Sequence, residues 1–117
     1  MTGIGSIVLL LTGIGHGIRI VDVQKMIADS GMKPPLDLIL KACWLAFSGE
    51  MVALAVIATV SSGMAGGGRI VLLCAATMIV NAALLLHFVG PSFPVYVSAT
   101  VAVFFLAGGW MQSKPVA

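Results

Sequence analysis

Four long apolar blocks, Ile4 to Val21, Leu38 to Val60, Ile70 to Val89 and Val95 to Met111, leave this chain few ways to fold. Each is close to the ~20 residues that carry an α-helix across a ~30 Å hydrocarbon layer. A soluble bundle would need a polar stripe along each helix, which these blocks lack. It would also need surface charge, yet only 9% of the residues are charged, against about 25% in an ordinary soluble domain. The expected fold is therefore all-α: an integral membrane four-helix bundle, up-down-up-down, in one transmembrane domain over residues 1–117. The first block has no basic segment before it, so it is expected to stay as an uncleaved first span.

The connections carry most of the polarity. Beyond Val21, Ile20, Val23 and Ile27 share one helical face and Asp22, Lys25 and Asp29 another, so the first helix is expected to continue past the membrane. Gly31 is a candidate helix stop, Pro34-Pro35 prevents further helix, and Asp37 opens the second span where a carboxylate suits the dipole. "SSGMAGGGR", Ser61 to Arg69, lacks the Gly-Lys-Ser/Thr ending of a phosphate loop and is expected to be a flexible linker. In "GPSFP", Gly90 can end the third span and Pro94 can start the fourth. Arg19, Lys25, Lys33 and Lys41 lie on the side of the first and third loops, Arg69 and Lys114 on the other. The positive-inside rule then places those loops in the cytoplasm of an inner-membrane protein and both termini outside, by a margin small enough to permit insertion both ways.

Charge also excludes some partners. A net charge of +2 without a basic run argues against nucleic acid. Cys43 and Cys74 fall toward opposite leaflets, out of disulfide reach, and no Cys/His set has zinc spacing. No nucleophile stands with a base at motif spacing, which argues against an enzyme.

Antiparallel spans bring His16, Arg19, Lys41, Trp44, His87 and Tyr96 toward one membrane face. Arg19 and Lys41 can snorkel there, and Trp44 and Tyr96 suit an aromatic belt. Gly13 and Gly17 form a Gly-x-x-x-Gly pair at which a neighbouring backbone can approach closely. His16 needs a partner for each ring nitrogen, and Thr12, Trp44 or a backbone carbonyl can serve one. The competing reading makes His16 and His87 a bis-histidine haem pair; otherwise no cofactor is expected.

Glu50 is the costliest residue. It stands thirteen residues after Asp37, roughly 20 Å along the axis and so near the bilayer centre. An acid there costs about 2.5 to 3.5 kcal/mol on insertion scales, which marks a candidate functional site. Its best partner is Asn81 on the third span. A hydrogen bond between membrane helices averages only about 0.6 kcal/mol where it has been measured. That gain does not cover the cost, so the pair is read as a proton or cation site.

The His of "GHG" on the first helix and the Trp of "KACWLAFS" on the second resemble a pattern in small, uncharacterised four-helix bacterial membrane proteins. The resemblance implies a bacterial origin and assigns no activity. In size and span number the chain is also similar to the small multidrug resistance transporters, dimers with an essential membrane glutamate. Their glutamate lies in the first helix and Glu50 in the second, so no motif carries over.

These readings converge on an oligomeric, proton-coupled transporter of a small solute that uses Glu50. The face of Gly13 and Gly17, together with Gly108-Gly109, is expected to meet a second protomer. The alternatives are a non-catalytic accessory subunit of a larger membrane complex and a haem- or quinone-binding electron carrier using His16 and His87.

Overall fold

A computed structural model describes residues 1–114; the last three positions of the 1–117 span lie outside the described residues. These residues form five helices and no strand: α1 (Thr2–Ile18), α2 (Ile20–Asp29), α3 (Leu36–Ser62), α4 (Gly68–Phe88) and α5 (Phe93–Ser113). α1 and α2 are one helical rod interrupted at Arg19, so four helical segments are long and apolar enough to cross a membrane. α1 packs on α3 and α4 on α5 most closely; α5 also packs on α1, while α3 and α4 meet least. The result is an up-down-up-down ring of two tight pairs, closed firmly along one seam and loosely along the other.

The distribution of side chains is that of a bundle made for lipid. Ile7, Leu73, Val103 and Trp110 are all more than 60% exposed, while the core is built around Leu9, Met51, Met78, Val71 and Phe105 with alanines between them. Lipid is as apolar as leucine, so burial alone does not draw these helices together; close packing does. A Cβ at Gly5 would stand 2.9 Å from the Phe105 ring, and one at Gly109 would stand 2.8 Å from Leu72 Cγ. Gly108 is pressed equally closely onto Thr2. Gly108 and Gly109 are therefore covered by the chain's own α1 and α4. This corrects the expectation that they meet a second protomer.

The connections follow their sequence signals in two cases of three. Gly31 and Gly90 hold positive φ, at 67° and 82°, where they end α2 and α4. Pro94 sits in the first turn of α5. The glycine-rich connection is not the expected flexible linker. Met64 N–H donates to Ser61 O and Gly67 N–H to Met64 O, each at 3.0 Å, and any side chain on Gly67 would overlap the Ser61 carbonyl.

The two pairs differ in length. α4 and α5 have 21 residues each, about 31 Å at 1.5 Å per residue, which matches the hydrocarbon thickness. α2 and the first turns of α3 project beyond the α4–α5 turn, and the molecule reaches 62 Å along its long axis. From Ile70 to Ser113, turn included, there is no Asp, Glu, Lys or Arg.

Candidate functional site

Glu50 and Asn81 face each other across the loosely packed α3–α4 seam, where Asn81 Nδ2 donates to Glu50 Oε1 at 3.1 Å. Both side chains are half-buried. Each keeps hydrogen-bonding capacity beyond this one bond: the second carboxyl oxygen of Glu50, and the carbonyl and remaining N–H of Asn81. Lys41 does not compete for the carboxylate. Its Nζ lies 3.8 Å from Asp37 Oδ2 one turn earlier in α3.

The depth of the pair differs from the sequence expectation. α3 begins outside the level of α4, so counting from Asp37 overstates how far Glu50 lies from the bundle end. Asn81 stands seven residues before the last residue of α4, which places the pair about 10 Å inside that end. This is a third of the way through the four-helix portion, not its centre.

A second constellation joins α1 to α3. Ser48 Oγ donates to Gly13 O at 2.6 Å, and the Trp44 indole N–H donates to His16 O at 2.7 Å. The imidazole of His16 stacks on Trp44 with ring centroids 3.8 Å apart and planes 15° from parallel. Phe47 meets the same imidazole edge-on at 5.3 Å. Gly13 makes this closeness possible: a Cβ there would lie 3.0 Å from Met51 Cβ and Val52 Cγ2. A Cβ on Gly17 would sit 2.7 Å from Ser48 Oγ. The glycine pair therefore packs within the chain, which removes it too as a face for a second protomer.

The other residues of the expected polar cluster separate into different surroundings. Trp44 is half-buried and bonded to α1. Thr12 Oγ1 donates to its own helix at Val8 O, 2.7 Å away, and not to His16. Arg19 is exposed at the break between α1 and α2. Tyr96 is 63% exposed near the start of α5. His87 is exposed and packs edge-to-face on Phe88; its helix α4 stands diagonally across the ring from α1.

Ser48 was not singled out from the sequence. The signal was present, because Ser48 follows Trp44 by four residues and so shares its helical face. Among the described residues no group of three or more His, Cys, Asp or Glu side chains is placed to hold a metal ion. Compared with protein-family models, curated proteins and solved structures, the chain matches none.

Proposed function

We propose that this chain is a multi-pass protein of the bacterial inner membrane that works as an oligomer and moves a small solute coupled to protons, with Glu50 and Asn81 as the proton or cation site. The observation that carries this reading is the half-buried Glu50–Asn81 pair on the open α3–α4 seam. An acid within hydrocarbon costs up to about 2.5 to 3.5 kcal/mol at the bilayer centre and less at this shallower depth, and one interhelical hydrogen bond of about 0.6 kcal/mol offsets only part of it. The centre of the protomer is filled by Phe105, Leu9 and Met78, so a solute path fits the outside of the ring, where a second copy would complete its wall. In this reading the α4–α5 turn and the Lys25–Lys33 region face the cytoplasm and both termini face outward.

Glu50→Gln tests it, because glutamine keeps an oxygen for the Asn81 amide and loses the proton. In detergent-solubilised protein challenged with a panel of small solutes, wild type should release protons on binding and Glu50→Gln should not. The two proteins should share helix content and thermal stability to within the cost of one hydrogen bond, about 1 kcal/mol. Equal proton release from both would refute the assignment of Glu50.

A second reading is favoured by a separate observation. Leu36, Leu38 and Ile39 are each more than half exposed on the projection beyond the α4–α5 turn, and apolar surface outside a bilayer marks a protein contact. An accessory subunit of a larger membrane complex would use this surface. Purification from native membranes in mild detergent separates the two: larger subunits retained at fixed stoichiometry support the accessory role.

A further inference from the structure

One side chain of α3 holds His16 twice. Trp44 bonds the His16 backbone carbonyl through its indole N–H and supports the imidazole on its ring face. The arrangement stands one turn before Arg19, where α1 gives way to α2. Among the described residues neither ring nitrogen of His16 has a hydrogen-bond partner, so the neutral ring has a lone pair free to take a proton.

We infer that His16 and Trp44 form a proton-sensitive latch between α1 and α3. Histidine is the side chain that ordinarily changes charge between about pH 5 and 8. When the imidazole accepts a proton from water, the cation lies against the negative face of the indole, and a ring stack becomes a cation–π contact. The last turn of α1 is then held more firmly on α3, and the direction in which α2 leaves is fixed with it.

The charged surroundings leave the indole as the natural partner for that charge. On the same rod the nearest charged residues are Arg19 and Asp22, both exposed. α3 supplies Lys41, paired with Asp37, and Glu50, bonded to Asn81. α5, the other helix packed on α1, carries no Asp, Glu, Lys, Arg or His up to Ser113, and its Tyr96 is exposed.

The chain has two tryptophans, so Trp110→Phe leaves Trp44 as the only indole emitter. In liposomes taken from about pH 8 to 5, its emission should be quenched in one step, because an imidazolium against an excited indole accepts its electron. Acrylamide should reach Trp44 less well at the acid end than at the alkaline end. In the same background His16→Phe keeps a stacked ring without a proton, and both responses should vanish. His16→Gln serves the same purpose if the phenylalanine variant fails to fold, as judged by circular dichroism. His87→Gln and Glu50→Gln should retain both responses, which separates the latch from the transport reading. A flat emission curve with His16 present, a step that survives loss of His16, or equal acrylamide access at both ends would overturn the proposal.

Discussion

Close packing makes single glycines in this chain unequal, although they look alike in the sequence. Gly13 has Met51 and Val52 at its Cα, whereas Gly15 has nothing within 4 Å of where a Cβ would be. Gly13→Ala should therefore force α1 and α3 apart at a cost of roughly 1–3 kcal/mol, the range for overpacking. Gly15→Ala should be neutral or stabilise by up to about 1 kcal/mol, the helical advantage of alanine over glycine. Thermal unfolding in one detergent compares them directly, and equal loss from both would contradict the α1–α3 contact described above. Trp44 teaches the converse lesson. Its type suited a membrane belt, but its neighbours were set by the partner helix, and no rule about tryptophan at membrane faces contains that information.

At the scale of the helices, apolar periodicity and stop signals made the architecture legible. Blocks such as Ile70 to Val89 and the Gly90 and Pro94 punctuation mark α4, its turn and the start of α5 to within a few residues. Gly90 has φ of 82°, a left-handed conformation that costs a side-chain-bearing residue roughly 1–2 kcal/mol. Gly90→Ala should lower hairpin stability by that amount, while Ser92→Ala in the same turn should change it less. The depth of Glu50 was less legible. Counting along α3 gives a position in that helix alone, and a position in the bundle requires knowing that α3 starts outside the level of α4. The partnership of Glu50 with Asn81 followed from a different logic, the scarcity of polar groups on facing helices, and that scarcity is visible in the sequence.

For the whole molecule, an even number of spans puts Met1 and Lys114 at one end and the loop bearing Lys33 at the other. With Cys43 and Cys74 replaced by alanine, Lys114→Cys should react with an impermeant thiol reagent outside intact cells, and Lys33→Cys should be shielded. Partial labelling at both positions would instead reveal two populations of opposite orientation. The absence of any charged side chain from Ile70 to Ser113 bears on how such a molecule is made. As the chain leaves the ribosome, the α4–α5 turn can cross the bilayer in either direction without stripping water from an ion, the largest single cost of translocating a short loop. The final hairpin thus has only Arg69 at the start of α4 and Lys114 at the end of α5, both away from the turn, with which to choose a side. It takes much of its direction from the earlier-synthesised helices, and basic residues added at Ser61 or Ser62 would act on the second half of the molecule as well as on the first.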